Sequence, residues 1–189
     1  MSENCFKNAV GIAKNICMMK LKQGDIAVDA TMGNGHDTMF LSNIVGDSGK
    51  VYAFDIQKSA IENIKEILEK SNAIKNVVLI NDGHENIDKY IDEDVKLIMF
   101  NLGYLPKGDH SITTKWQTTL TALKKSLNLI EKNGVVILVI YYGHFEGKKE
   151  KEKIEEFTQK LDQKKFNVLK MHFINQINNP PELIIIERR

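Results

Sequence analysis

Four short apolar runs in this chain stop on an acid or an amide, and that repeated ending limits the available folds more than any other feature. The runs are residues 26–30 with Asp29 near the end, 51–54 closed by Asp55, 77–80 followed by Asn81 and Asp82, and 95–100 followed by Asn101. Between them the apolar spacing turns helical, through Met39, Phe40, Leu41 and Ile44 in 36–45 and Ala60, Ile61, Ile64, Ile67 and Leu68 in 57–70. A short helical stretch then reaches about Tyr90, a longer helix spans about 114–131 and stops at Asn133-Gly134, and a fifth apolar run covers 135–140. Runs 95–100 and 135–140 are almost wholly apolar, as central parallel strands covered on both faces must be. Ahead of them, Phe6, Ala9, Val10, Ala13, Ile16 and Cys17 give residues 3–20 one apolar helical face. Behind them comes a charged helix over 147–163 with Ile154, Phe157 and Leu161 inward, then strands over 166–174 and 183–187. Pro180 and Pro181 put the turn between those last strands, since proline supplies no ladder donor. Lacking a helix between them, the two strands pair antiparallel. The expected fold is α/β: a doubly wound, Rossmann-like sheet of seven strands, mostly parallel with one antiparallel strand near the C-terminus, and ligands at the carboxyl ends.

A chain of 189 residues, with 42% apolar and 27% charged side chains, fits one domain over 1–189. No apolar run approaches the roughly 20 residues of a membrane span, and the N-terminal stretch lacks the continuous apolar core of a signal peptide. Cys5 and Cys17 lie far apart on one helix, which argues against a disulfide framework and fits a reducing cytoplasm. The net charge of +1 gives no whole-protein case for nucleic acid, so any such case rests on a local patch. No His, Cys or carboxylate spacing forms a metal site, and no Ser-His-Asp order follows a nucleophile elbow.

Chemistry concentrates first in IAVDATMGNGHDT, residues 26–38, read as strand, tight turn and first helical turn. Gly33 and Gly35 permit positive φ and a close backbone approach, and the helix that follows presents unpaired N–H groups to a ligand. A dinucleotide fingerprint wants a third glycine where this chain has Thr38. The polar residues at four successive strand ends favour S-adenosylmethionine instead: Asp55 can accept both ribose hydroxyls, Ile56 and Gln57 can line the adenine, and Asp82 and His84 stand on the adenine side. Asp29 orients the turn and meets the cofactor's amino-acid end. A capping acid with no ligand is the alternative for Asp29, and Asp37 or Thr38 can simply satisfy the first helical amides.

The motifs DATMGNGHDT and NLGYLPKGDHSITT, with YYGHFEGKKEK and the NNPPELIIIE ending, resemble the bacterial rRNA methylase family of class I S-adenosylmethionine-dependent methyltransferases over nearly the whole chain. One departure from the wider superfamily is Thr31, where many such enzymes carry a first glycine. The resemblance implies the class I methyltransferase fold, S-adenosyl-L-methionine as cofactor, and methylation of the amine of a 5-aminomethyl-2-thiouridine at the tRNA wobble position. Cofactor contacts are then expected from Asp29, Met32, Gly33, Asn34, Gly35, His36, Asp37, Thr38, Asp55, Ile56, Gln57, Asp82, Gly83, His84, Asn101, Leu102 and Gly103. Asn101 opens a segment where amine-directed enzymes often carry two prolines, here replaced by Leu102 and Gly103. Asn101, Tyr104 and His110 are the expected catalytic residues: the amide accepts the amine's hydrogens, the tyrosine stacks or lines the pocket, and the histidine accepts a proton.

Substrate contacts are expected from Tyr104, Pro106, Asp109, His110, Tyr142, His144, Lys148 and Lys149. The lysines are read either as a solvated helical face or as cations meeting the backbone of a tRNA anticodon stem-loop. A homodimer suits a small enzyme gripping such a stem, although no apolar stripe compels it. Three alternatives stay open at this level: another methyl acceptor (rRNA, protein or a small amine), an NAD-dependent oxidoreductase, and a non-catalytic nucleotide-binding module.

Overall fold

The computed structural model describes residues 6–71, 73–103 and 113–189. Among the described residues five α-helices and seven strands follow in order: α1 Ala9–Lys20, β1 Ile26–Asp29, α2 His36–Val45, β2 Lys50–Phe54, α3 Lys58–Ser71, β3 Val77–Ile80, β4 Val95–Leu102, α4 Trp116–Leu129, β5 Ile130–Ile140, α5 Phe145–Thr158, β6 Phe166–Met171 and β7 Glu182–Arg188. Two 3-10 turns, Ala73–Asn76 and His84–Lys89, flank β3. The strands form one sheet in the order β3-β2-β1-β4-β5-β7-β6. Strands β1 to β5 pair in parallel, and β7 runs antiparallel to both β5 and β6, so β7 is the expected reversed strand.

Strand parity sorts the core into two layers. Ala27, Leu97, Met99, Val135, Ile137 and Val139 pack with buried residues of α1, α2 and α3, including Ala13, Leu41 and Ile64. Val28, Ile98, Phe100, Val136, Leu138 and Ile140 pack on the other face with Leu123 of α4 and Ile154 of α5. Both faces of β5 are sealed over residues 135–140, so its apolar run has no polar alternate positions. Helix α1 starts where the Asn8 side chain accepts from the Gly11 amide at 2.8 Å. Cys17 of the same helix is buried, and that burial, with the nearby Asp37 carboxylate, pushes its thiol up to about 12, so it stays protonated.

Several boundaries differ from the sequence expectation: α1 starts only at Ala9, α5 spans Phe145–Thr158 rather than 147–163, and β6 stops at Met171 rather than at 174. Helix α4 stops at Leu129 rather than at Asn133-Gly134, because Ile130 already pairs with Val95 as the first residue of β5. The ladder then shifts register before Leu97 meets Val135, and residues 131–134 form the irregularity, with Asn133 left-handed at φ 62. Strand β4 also runs one residue beyond Asn101, since Asn101 and Leu102 continue the pairing with Val139 and Ile140. The Leu97 side chain is fully buried in the α1–α3 layer, so Leu97→Ala should cost about 2–5 kcal/mol in denaturant unfolding. A loss below about 1 kcal/mol would mean that this layer is loosely packed.

Candidate active site

Because β1 lies between β2 and β4, the chain leaves β1 toward one side of the sheet and returns to its other side at β4. A crevice opens at the carboxyl ends of strands in such an arrangement. A cavity of about 770 Å³ occupies that place.

The turn after β1 forms its floor. Gly33 and Gly35 are both left-handed, at φ 52 and 72. A Cβ on Gly35 would overlap the Ile64 side chain, so this position has no room for one. Gly33 donates its amide to Asp55 Oδ2 at 2.9 Å and Gln57 donates to Asp55 Oδ1 at 2.8 Å, which ties the turn to the end of β2. Each of those oxygens keeps acceptor capacity beside its amide partner.

Asp29 holds the turn from beneath. Its carboxylate accepts from the Thr31 amide at 3.1 Å and from the Thr38 hydroxyl at 2.6 Å, and only 1% of the residue is exposed. Burial, followed by the neighbouring Asp37 charge, pushes Asp29 up to about 7 despite these bonds. Asp37 instead faces the cavity, where Asn101 Nδ2 donates to its Oδ2 at 3.2 Å and Lys14 of α1 lies 3.2 Å from its Oδ1. Asn101 is fixed a second time by its own amide, which donates to Thr31 Oγ1 at 2.7 Å. Tyr141, one residue past β5, lines the same wall, and burial and the Asp37 charge raise its phenol.

The far wall carries Asp82 and His84. Asp82 is desolvated in the direction that raises a carboxyl, but Asn86, Tyr90 and the Gly83 amide all donate to it and hold it below the usual range. His84 packs edge-on against Phe100 with ring centres 5.7 Å apart. Its Nδ1 lies 3.1 Å from the Ala30 carbonyl, which only accepts, so Nδ1 carries the proton. Burial lowers this histidine, favouring the neutral ring, and among the described residues Nε2 is a buried acceptor with no partner. Ile56 stands 63% exposed at the edge.

These features fit a nucleoside-bearing sulfonium. Asp55 suits ribose hydroxyls, Ile56 suits a face of the base, the unpartnered His84 Nε2 suits an amino hydrogen, and the glycine turn admits the close approach of an amino-acid tail.

The expected residues separate into groups. Met32, Gly33, Asn34, His36, Asp37, Asp55, Ile56, Gln57, Asp82, Gly83, His84, Asn101, Gly103 and His144 all line the cavity. Asp29, Gly35, Thr38 and Leu102 do not, and serve the turn and core behind it. Tyr142 is also outside the lining, its ring 3.9 Å from the Lys151 ammonium, while Tyr141 stands in its place. Lys148 and Lys149 are exposed at the start of α5, and Lys149 sits over the Trp116 ring at 5.9 Å. Tyr104, Pro106, Asp109 and His110 lie outside the described residues. Sequence reasoning did not single out Thr31 as a lining residue, nor Lys115, Tyr141 or Asn179. A signal existed for Asn179, which precedes the two prolines, and it is left-handed at φ 50.

A family model described as "Putative rRNA methylase" matches residues 51–187. The chloroplastic tRNA (mnm(5)s(2)U34)-methyltransferase of Arabidopsis thaliana is 35% identical over 192 residues, covering 96% of this chain and 70% of that protein. A solved structure from Clostridium thermocellum described as a putative rRNA-methylase superposes with a TM-score of 0.95 at 52% identity, covering 97% of this chain and 99% of that one. A Streptococcus mutans chain described as a putative methyltransferase in complex with SAH gives 0.88 at 44% identity, again over 97% and 99%.

In the folded chain Asp29 keeps a proton up to about pH 7, whereas an unfolded aspartate loses it near pH 4. The stability it contributes is therefore complete below about pH 4 and is lost as pH rises toward about 7. Thermal unfolding followed by circular dichroism should show Asp29→Asn melting above the wild type at about pH 8, with the gap closing toward pH 4. Parallel melting curves at all pH values would place the Asp29 charge elsewhere.

Proposed function

The chain belongs to the family described as "Putative rRNA methylase", and from that premise we propose that it methylates the amine of 5-aminomethyl-2-thiouridine at the wobble position of tRNA. It is an S-adenosylmethionine-dependent methyltransferase. The cofactor supplies an electrophilic methyl on a sulfonium when bound. Asp55 receives its ribose, His84 Nε2 and Ile56 the base, and the Gly33–Gly35 turn its amino-acid end.

The observation that carries the reading to an amine is the orientation of Asn101. With Nδ2 committed to Asp37, the amide oxygen is the atom left to accept a hydrogen from an incoming amine. Accepting that hydrogen aims the nitrogen lone pair, and orientation of this kind accounts for much of the acceleration in a direct displacement. The substrate's alkylammonium form must lose a proton before its nitrogen can attack, and His110 is proposed to accept it. Support for tRNA comes from the Arabidopsis relative, whose name gives a modified wobble uridine, and from Lys115, Lys148 and Lys149, all exposed on the side of the cavity where α4 and α5 begin. Backbone phosphates crossing that mouth would meet all three ammonium groups.

Mass spectrometry of nucleosides after incubation with cofactor and tRNA carrying the aminomethyl uridine should show one added methyl on that nucleoside. A methyl on ribosomal RNA with none on the tRNA nucleoside would reassign the acceptor and leave the enzyme class intact. Replacing Lys148 and Lys149 by Gln should weaken tRNA binding and reduce the slope of log K against log salt by about 1–2. An unchanged slope would make these lysines a solvated face.

A further inference from the structure

Lys14 stands on α1, twelve residues before β1 begins, yet its ammonium reaches the wall of the cavity. We infer that Lys14 is a positioning residue for methyl transfer: through Asp37 it fixes which end of the Asn101 amide faces the acceptor amine. This rests on the reading of Asn101 as the group that accepts from that amine.

The chain of contacts has one sense only. An ionised carboxylate accepts and cannot donate, so the amide must turn Nδ2 toward Asp37 Oδ2, and Oδ1 takes the opposite direction. The two Asp37 oxygens are divided, Oδ2 for Asn101 and Oδ1 for Lys14, both at 3.2 Å. Asp37 is only 9% exposed and shares its surroundings with the Asp29 carboxyl, so an unneutralised charge there would be costly. Lys14 is the cation within ion-pair distance of it among the described residues. Without that cation the Asp37 carboxylate loses the contact that holds its Oδ1, and the amide is no longer kept with Nδ2 on Oδ2 and can turn its NH2 to the amine. The amine would then accept from that NH2 through its lone pair, the same pair it needs for attack. Lys14 itself is held in place by the Phe40 ring, 5.0 Å from its ammonium.

The test compares the intact enzyme with Lys14→Met and Lys14→Arg. Methionine keeps the length of the side chain and a favourable contact with Phe40, so thermal melting should confirm an intact fold. On tRNA bearing the aminomethyl uridine, Lys14→Met should lower kcat about tenfold or more, leave KM for tRNA and Kd for S-adenosylhomocysteine within about twofold, and Lys14→Arg should recover most of the rate. An unchanged kcat, or a loss carried by the cofactor Kd, overturns the inference.

A second measurement does not depend on the substrate. In nuclear magnetic resonance spectra of 15N-labelled enzyme, the Asn101 side-chain NH2 pair, assigned by its disappearance in Asn101→Ala, should shift and exchange faster in Lys14→Met and return in Lys14→Arg. If the wild type fails to methylate this tRNA while the NH2 pair responds, the proposed substrate is wrong and the contact chain stands. An NH2 pair insensitive to Lys14 removes the chain whatever the substrate.

Discussion

Side chains alternate across a strand, and over the apolar runs of β4 and β5 both faces are buried, so parity decides which side chain at the end of each of these two strands turns toward the cavity. Odd positions of β1, β4 and β5 face the α1–α3 layer, and extending that parity to the strand ends brings Asp29, Asn101 and Tyr141 to one side. Helix α2 starts directly above them and adds Asp37, while α1 lies on the same layer and adds Lys14. Even positions end against α4 and α5, where Tyr142 meets Lys151. Among the described residues, the reaction side of the cavity is thus assembled from five elements, because the sheet delivers them in phase.

Within that arrangement the two acids near the turn have opposite duties. Asp29 is sealed and works as a hydrogen-bond acceptor beneath the glycines, and its proton affinity rises because burial desolvates the carboxylate and the Asp37 charge adds to that. Asp37 is the one with a cation, and it is the one turned toward Asn101. Two carboxyls this close avoid a shared charge when one binds a proton and the other an ammonium. The division places the neutral group under the backbone and the charged pair at the wall.

Much of this was legible in the sequence, for identifiable reasons. Strands β2 and β3 were readable because short apolar runs between helical periods leave little choice, and the acids at their ends named Asp55 and Asp82 as cavity residues. The choice between Tyr141 and Tyr142 was not readable. A half-buried strand announces its phase by alternating polar residues, but residues 135–140 are apolar on both faces, so the run tells nothing about which tyrosine turns inward. The start of β5 was hidden for a different reason: Asn133-Gly134 looks like a helix terminator, yet it is the left-handed part of a register shift that depends on Ile130 finding Val95. Lys14 reads as one more polar residue on an amphipathic helix, since nothing local tells which strand end that helix crosses.

The chemistry also bears on why residue 101 is an amide. An alkylamine arrives mostly as an ammonium, and a carboxylate beside it favours that charged form, which has no lone pair to give. Asp37, Asp55, Asp82 and Glu85 already line the cavity, so a fifth carboxylate at position 101 would deepen the bias against the reactive species. A neutral amide oxygen can accept from the free amine while adding no net charge. The same logic gives the Lys14 ion pair a second consequence: by neutralising Asp37, the carboxylate in direct contact with Asn101, it lowers the negative potential where the amine must shed its proton. On the proposed reading, orientation and deprotonation of the amine therefore depend on one contact chain, and the Coulomb balance of that chain is set from the helix that opens the fold.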